Sequence, residues 1–191
     1  MNDGNEVCMR VIAGEFKSRQ LKTVSSHLTR PTTDKNKENI FNMIGPYFDG
    51  GVCLDLFGGS GGLGIEALSR GMEKLYTVDK QYKAYQVIKE NFQLLHLEKR
   101  AQVFKMDYRK ALENFYQEKL KFDLVFLDPP YGLKINQGIL DYLHEHQMLA
   151  SSCMIVIEDL KEEILKLNPP FSVIKENNYG ITTIQIIKYE V

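Results

Sequence analysis

The stretch that decides the fold of this 191-residue chain reads Val52-Cys53-Leu54-Asp55-Leu56-Phe57-Gly58-Gly59-Ser60-Gly61-Gly62-Leu63-Gly64. It opens with an apolar run, Val52 to Phe57, that is typical of a buried β-strand. The glycines that follow allow a tight turn and let a ligand lie against the main chain, because no Cβ stands in the way. Leu63 to Arg70 then has the pattern of a helix, which Gly71 ends. The stretch therefore predicts a strand, a glycine-rich loop and a helix.

Strands and helices alternate in the same way along the rest of the chain. Further strands are predicted at Lys74–Asp79, Ala101–Met106, Phe122–Leu127 and Met154–Glu158, and further helices at Tyr82–Leu95, Arg109–Gln117 and Ile139–His146. Repeated units of this kind imply a parallel sheet covered by helices on both faces. In the tail, Phe171–Ile174 and Ile181–Ile187 are predicted strands. The turn-forming residues 177–180 between them predict an antiparallel hairpin.

Carboxylates fall at or near the ends of four of these strands, at Asp55, Asp79, Asp107 and Asp128. Ligands on parallel sheets bind beyond the carboxyl ends of the strands, where the strand order reverses. The spacing Gly59-x-Gly61-x-x-Gly64, with Asp79 further on, also satisfies the dinucleotide fingerprint. However, Asp55 at the entrance of the loop would repel a pyrophosphate and attract an ammonium or a sulfonium. The pattern therefore favours S-adenosyl-L-methionine over a dinucleotide.

Each predicted cofactor contact has a chemical reason. Asp79, with Lys80 beside it, is expected to take the ribose hydroxyls, and Asp55 to lie near the methionine ammonium. Met106-Asp107 can accept a hydrogen bond from the adenine amino group. The loop backbone at Phe57, Gly58, Gly59, Ser60 and Gly61 is expected to line the ligand. For Asp79 and Asp107, the alternative is a helix N-cap with no ligand role.

The candidate catalytic residues are Asp128-Pro129-Pro130-Tyr131, which follow the predicted strand Phe122–Leu127. Proline has no N–H to donate, so the strand cannot continue its hydrogen-bond ladder there. An acceptor side chain, a free carbonyl and an aromatic ring are thus placed side by side. This combination suits a planar group that carries an NH2, with both hydrogens accepted and the ring stacked on Tyr131. The alternative is a proline-rich turn without chemistry.

Positive charge is concentrated near the N-terminus, although the net charge of the chain is −1. Residues 10–37 hold seven basic and two acidic side chains, 7 − 2 = +5, which leaves −6 on the other 163 residues. Such a basic arm fits either a nucleic acid contacted at one place or a solvated surface segment. The three cysteines lack C-x-x-C spacing, no apolar run could span a bilayer, and no secretory signal is recognisable. We therefore expect a cytoplasmic protein with reduced thiols, and the four histidines predict no metal site.

Several motifs together resemble the RsmD-like family of bacterial methyltransferases, which modify guanine N2 in 16S (small-subunit) ribosomal RNA. The matching pieces are Met9–Gly14, Thr29–Asp34, Asp55–Gly61, Glu66–Gly71, Asp128–Tyr131 and Tyr179-Gly180. The resemblance covers nearly the whole chain from Met9 onward. Two departures are Gly58, where the family more often has alanine, and Asp159, where it often has histidine. The second departure weakens any role for position 159.

The resemblance implies an α/β fold: a Rossmann-like, class I methyltransferase with a seven-stranded, mostly parallel sheet, an antiparallel C-terminal hairpin and a short N-terminal β-hairpin. We expect residues 1–8 to be a disordered extension, residues 9–36 the basic arm, and residues 37–191 the methyltransferase domain. The arm is expected to contact 16S rRNA or a small-subunit assembly through Arg10, Lys17, Arg19, Lys22 and Arg30. Arg30 and Thr32 are also expected to close over the cofactor, S-adenosyl-L-methionine.

Other functions remain open at this point. DNA adenine or cytosine N-methyltransferases, or enzymes that act on another RNA, need the same kind of pocket, although the chain has no sizeable extra domain for reading DNA sequence. A protein glutamine methyltransferase usually opens the related motif with asparagine. An NAD-dependent oxidoreductase would lack an obvious group to handle hydride. A binding module without turnover would not need an intact Asp128 and Tyr131.

Overall fold

The computed structural model of the chain describes residues 9–24, 34–163 and 165–191. Its elements in chain order are β1 (Met9–Arg10), β2 (Gln20–Leu21), α1 (Asp34–Ile44), β3 (Val52–Asp55), α2 (Gly62–Ser69), β4 (Lys74–Asp79), α3 (Tyr82–Leu94), β5 (Ala101–Lys105), α4 (Tyr108–Gln117), β6 (Phe122–Leu127), α5 (Asn136–Glu145), β7 (Leu149–Leu160), β8 (Phe171–Tyr179) and β9 (Thr182–Tyr189). The predicted strands β4 and β6 are confirmed at both ends. Among the other elements, β7 is much longer than predicted. It begins at Leu149, which pairs with Phe122 of β6, and its pairing with β9 continues to Leu160.

One seven-stranded sheet organises the molecule, with the strand order β5-β4-β3-β6-β7-β9-β8. Strands β3 to β7 are parallel to their neighbours in that group, and β9 is antiparallel to both β7 and β8. The chain moves outward from β3 to β5 and then returns to the other side of β3 with β6. The strand order therefore reverses between β3 and β6, which is where parallel sheets bind ligands. The predicted Rossmann-like fold is confirmed.

Two apolar clusters cover the two faces of the sheet. One face packs against α1, α2 and α3, and the opposite face against α4 and α5. Side chains alternate between the faces along a strand, so residues two apart face the same side. Phe126 and Val156 belong to the cluster of α1, α2 and α3. Asp128 follows Phe126 by two residues, and Glu158 follows Val156 by two residues. Both acids therefore point to that same side of the sheet.

The C-terminal hairpin is confirmed, but its turn lies further along the chain than predicted. Residues 177–179 are paired in β8, where Asn178 lies opposite Thr183, and the turn consists of Gly180 and Ile181. Gly180 has a φ of +60°, a conformation that glycine adopts without strain. The asparagines sit on the outer strand of the sheet, where their side chains can face solvent. The prediction of a turn at 177–180 was therefore wrong, since only Gly180 takes part in it.

The N-terminal hairpin (residues 9–21) packs against the domain through Glu66 of α2. The Glu66 carboxylate accepts the backbone N–H groups of Ile12 at 2.8 Å and Ala13 at 3.0 Å. It also pairs with Arg70 Nε at 2.7 Å and lies 3.8 Å from Lys37 Nζ. All three charged side chains are buried. A buried carboxylate of this kind is tolerated because donors and cations surround it.

We expect Glu66→Gln to lower the free energy of unfolding by about 3–5 kcal/mol, because it leaves two buried cations without their counter-charge. The measurement is urea denaturation followed by circular dichroism. Glu190→Gln is the control, since it breaks only an exposed ion pair with Lys188 and should change stability by less than about 1 kcal/mol. Equal losses in the two variants would show that Glu66 does not hold the hairpin in place.

Candidate active site

Four carboxylates gather at the carboxyl ends of neighbouring parallel strands. They are Asp55, Asp79, Asp128 and Glu158, and we call them the acidic rim. Leu127 pairs with Ile157, so Asp128 and Glu158 follow at the same level on adjacent strands. Asp55 pairs with Phe126, which places it one level lower on the same face. Since adjacent strands are only about 4.8 Å apart, these side chains lie within strong electrostatic reach of one another.

Asp128 has the most unusual environment of the rim. Its side chain is half-buried, and no group in the described part of the chain donates a hydrogen bond to its carboxylate. Burial raises the pKa of Asp128 well above its usual range, and the negative charges of Glu158, Asp55 and Asp159 raise it further. A carboxylate with no donor and a raised pKa is a strong acceptor for a hydrogen or a proton. Among the described residues, no donor therefore competes with a ligand for the Asp128 carboxylate.

Tyr131 stands beside this carboxylate with half of its surface exposed, at 51%. Its hydroxyl donates to Glu158 Oε1 at 3.0 Å, which joins the loop after β6 to the end of β7. Burial, followed by the charge of Glu158, raises the pKa of the Tyr131 hydroxyl, so this group remains a donor. Pro129 is buried behind the site and Pro130 is exposed. The exposed ring can accept a flat ligand, as the sequence predicts.

The glycine-rich loop is packed on one side and open on the other. A Cβ on Gly58 would lie 2.4 Å from Thr77 Cγ2, whereas a Cβ on Gly59 would meet nothing within 4 Å. Gly59 and Gly61 have φ values of +55° and +81°, which disfavour other residues. Gly61 N–H donates to the Gly58 carbonyl at 2.7 Å and closes the turn. The open side of this cradle lets a ligand approach the main chain.

Asp55 is buried below the loop and is held by two backbone N–H groups, those of Phe57 and Gly64. Burial, followed by the charge of Asp79, raises the pKa of Asp55 to about 7, and the two hydrogen bonds oppose this rise. The carboxyl group is therefore half ionised near neutral pH. A cationic ligand above it would favour the ionised form.

Asp79 is the last residue of β4, Asp107 lies two residues after the end of β5, and the two acids have different surroundings. Asp79 accepts Gly59 N–H at 3.0 Å and Gln81 N–H at 2.8 Å, and burial raises its pKa despite these bonds. Asp107 accepts Arg109 N–H at 3.0 Å as the N-cap of α4, and its hydrogen bond from the Arg109 side chain lowers its pKa. The capping alternative thus holds for Asp107. Asp79 instead fixes the glycine loop.

The remaining predicted cofactor residues lie around this loop. Phe57 is half-buried, with its ring centroid 5.6 Å from that of Tyr108, and Met106 is half-buried against the same cluster. Lys80 is exposed. Arg30 and Thr32 lie outside the described residues, and so do residues 1–8.

The predicted RNA contacts in the described part of the arm are all exposed. Arg10 pairs with Asp34 at 2.7 Å, Lys22 pairs with Glu90 at 2.7 Å, and Arg19 donates to a backbone carbonyl of α3. These contacts are on the surface, so they stabilise little and can be exchanged for phosphate contacts. The Lys17 side chain has no partner among the described residues.

Two residues of the site were missed by sequence reasoning, Glu158 and Asn91. Glu158 ends an apolar run of β7, and a charged residue in such a position is a signal that could have been used. Asn91 follows Ile88 by three residues on the apolar face of α3, where a polar side chain is unusual. Its side chain is fully buried and contacts the glycine loop.

Other features of the described residues are simpler. Cys53 and Cys153 are buried and free, as predicted. Within residues 9–24, 34–163 and 165–191, no helix is long and apolar enough to cross a membrane, and no three metal-ligating side chains are grouped to hold an ion.

Comparison with known proteins shows what this chain is similar to. The family described as "Conserved hypothetical protein 95" matches residues 9–188. "Putative rRNA methyltransferase YlbH" of Bacillus subtilis is 48% identical, over 94% of this chain and 98% of its own. "Ribosomal RNA small subunit methyltransferase D" of Haemophilus influenzae is 33% identical, over 93% of this chain and 92% of its own. This chain belongs to the RsmD family.

A solved structure agrees with the RsmD-family assignment. The protein described as "Putative methyltransferase yhhF from Escherichia coli" superposes with a TM-score of 0.85 and 26% identity, over 96% of this chain and 99% of that one. The site also fits S-adenosyl-L-methionine, the cofactor of such methyltransferases. The open glycine cradle admits the ligand, and the acids around it suit an ammonium, a sulfonium and ribose hydroxyls.

We expect cofactor affinity to rise with pH through about 7, because only ionised Asp55 attracts a cation. If only that form binds, the affinity at about pH 8 should be roughly tenfold that at about pH 6. Calorimetric titration with S-adenosyl-L-methionine across this range gives the profile. Asp55→Asn should flatten it. Asp107→Asn is the control: it alters an acid of lowered pKa, so the midpoint of the affinity–pH profile should stay at about 7. An unaltered profile in Asp55→Asn would contradict the assignment of this pH dependence to Asp55.

Proposed function

We propose that this RsmD-family protein transfers a methyl group from S-adenosyl-L-methionine to the exocyclic N2 amine of a guanine in 16S rRNA. The enzyme class and the cofactor follow from its family. The finer choice of guanine rests on one observation: Asp128 and Glu158 stand side by side at the ends of adjacent strands, next to the exposed ring of Tyr131.

The two neighbouring acceptors, Asp128 and Glu158, match the hydrogen-bonding edge of guanine better than the edges of adenine and cytosine. The Watson–Crick edge of guanine carries two adjacent donors, the N1–H and the N2 amine. Adenine and cytosine carry an amine beside a ring nitrogen that is an acceptor. A base drawn into a pocket is recognised by hydrogen bonds to this edge. The two donors of guanine favour the ionised forms of Asp128 and Glu158, which only accept hydrogen bonds. These forms would face the ring acceptor of adenine or cytosine unfavourably, which supports guanine over the DNA amines.

The residues of the site have separate tasks in this mechanism. The guanine leaves its stack, at a cost of a few kcal/mol, and lies on Tyr131. Asp128 and the Pro129 carbonyl accept the hydrogens of N2, which directs its lone pair toward the incoming methyl group. S-adenosyl-L-methionine, held by Asp55, Asp79 and the glycine loop, would supply that methyl group from its sulfonium and leave as the neutral thioether. Asp128 or water accepts the proton lost from N2.

The basic arm is the proposed RNA contact. Arg10, Lys17, Arg19 and Lys22 lie on or next to the N-terminal hairpin. Arg30, which lies outside the described residues, is the fifth proposed contact. Phosphate contacts of this kind position an RNA without reading its sequence. We therefore divide the chain into the arm, 9–36, and the methyltransferase domain, 37–191. A small-subunit assembly or its free 16S rRNA is the proposed substrate, and the cytoplasm is where such a substrate is made.

The test of this function is transfer of radiolabel from S-adenosyl-L-methionine to small ribosomal subunits that lack the modification. Free 16S rRNA and duplex DNA are incubated in parallel. We expect label in small-subunit RNA, and nuclease digestion should recover it as N2-methylguanosine. Label only in DNA, or in another nucleoside, would overturn the proposal.

We expect Asp128→Asn to lower turnover by about 10²- to 10⁴-fold, because an amide cannot take up the proton and carries an NH2 donor in place of one carboxylate oxygen. Cofactor affinity should stay within a few-fold, since Asp128 acts on the base. Single-turnover rates and calorimetry measure the two quantities. Equal losses in both would identify Asp128 as a structural residue or a cofactor ligand.

We expect Glu158→Gln to lower kcat/KM for the guanine substrate by about 5- to 150-fold, because it removes a charged acceptor facing the base. The rate rises with pH as Asp128 ionises, and the charge of Glu158 raises the pKa of Asp128. The acidic limb of the pH–rate profile should therefore move to lower pH in this variant. Glu176→Gln, on the exposed strand β8, is the control, and a limb that stays in place would contradict this role for Glu158.

A further inference from the structure

Asn91 of α3 holds two separate segments of the chain with one side chain. Its amide oxygen accepts the backbone N–H of Lys22 at 2.8 Å. Its amide nitrogen donates to the carbonyls of Lys22 and of Ser60, each at 3.0 Å. Lys22 follows the N-terminal hairpin, and Ser60 lies in the glycine loop. The amide therefore joins the proposed RNA arm to the proposed cofactor loop.

A second contact reinforces this junction. Ser60 Oγ accepts the backbone N–H of Val24 at 2.9 Å, so residues 22–24 lie directly against the loop. The neighbour of Asn91 in α3, Glu90, pairs with the ammonium of Lys22 at 2.7 Å on the surface. Helix α3 thus fixes the backbone of Lys22 through the buried amide of Asn91, and it fixes the Lys22 ammonium through the exposed carboxylate of Glu90. Only the buried amide also reaches the loop.

Burial makes the two bonds of the Asn91 amide nitrogen interdependent. The side chain is fully buried, so water does not replace a lost partner. If either the arm or the loop moves away, a buried donor is left unpaired, which is strongly disfavoured. The ordered position of one segment therefore favours the ordered position of the other.

We propose that Asn91 is a positioning residue that couples RNA binding at the arm to cofactor binding at the glycine loop. This inference rests on the proposed function, in which Lys22 contacts RNA and Ser60 contacts the cofactor. A ligand on one side holds its own segment in place and, through Asn91, the segment on the other side. Each ligand then raises the affinity for the other by the same factor, as linkage requires.

The experiment measures that factor directly. S-adenosylhomocysteine, which cannot be turned over, is titrated into the protein with and without saturating unmodified small ribosomal subunits. We expect the subunits to strengthen its binding by about 5- to 150-fold in the wild type. In Asn91→Ala, which lacks both donors, the factor should fall to about one- to threefold. A purely structural role would lower thermal stability and leave the factor unchanged.

Two further variants keep the proposal falsifiable. Glu90→Gln frees the Lys22 ammonium and keeps the amide, so it should change RNA affinity and keep the wild-type factor. Ser60→Ala removes only the contact with Val24 and should give an intermediate factor. A wild-type factor in Asn91→Ala overturns the proposal. Should Asn91→Ala fail to fold, Asn91→Asp takes its place, because it keeps the acceptor for the Lys22 N–H and lacks both donors, and a wild-type factor there overturns the proposal.

The outcome also separates this inference from the proposed function. If the wild-type protein neither binds nor methylates small subunits, the proposed function fails. If it methylates them but shows no coupling, or shows coupling that Asn91→Ala keeps, then only the inference about Asn91 is overturned.

Discussion

Burial of like charges at the ends of adjacent strands is the constraint on which this site depends. Burial raises the pKa values of Asp55, Asp128 and Glu158, and the charges of Glu158 and Asp55 raise the pKa of Asp128 further, so free side chains would move apart. The parallel register of β3, β6 and β7 prevents this, since the backbone ladders fix where each strand ends. The unfavourable charge is offset elsewhere, by the two apolar clusters and by the buried ion pairs of Glu66.

The number of hydrogen-bond donors around each acid separates the tasks within the acidic rim. Asp55 and Asp79 each accept two backbone N–H groups, which hold them in place as parts of the cofactor cradle. Glu158 accepts only the Tyr131 hydroxyl, so it orients the ring and keeps capacity for a second donor. Asp128 accepts none from the described residues, which agrees with its proposed role as the acceptor of a substrate hydrogen. Side chains of the same chemistry therefore perform different functions through their surroundings.

Local patterns predicted the fold, and they singled out the glycine loop and Asp128 as candidate site residues. Alternating apolar runs, the glycine loop and the two prolines each act within a few residues, so they can be recognised in the sequence alone. Glu158 and Asn91 could not be found in this way, because their partners lie 27 and 69 residues away in the chain. For Asp107, a helix cap and a ligand contact require the same carboxylate, and the choice depends on where Arg109 points.

Opposite charges on the two parts of the molecule favour an extruded base over a stacked one. The acidic rim repels phosphates, whereas the basic arm attracts them, so the RNA backbone is most stable along the arm. A base that remains stacked in a helix brings its own phosphates with it and would meet the rim unfavourably. A base rotated out of the strand can reach Asp128 while its phosphate stays at the arm. In the proposed function, the same charge separation accounts for both binding of RNA and selection of an unstacked nucleotide.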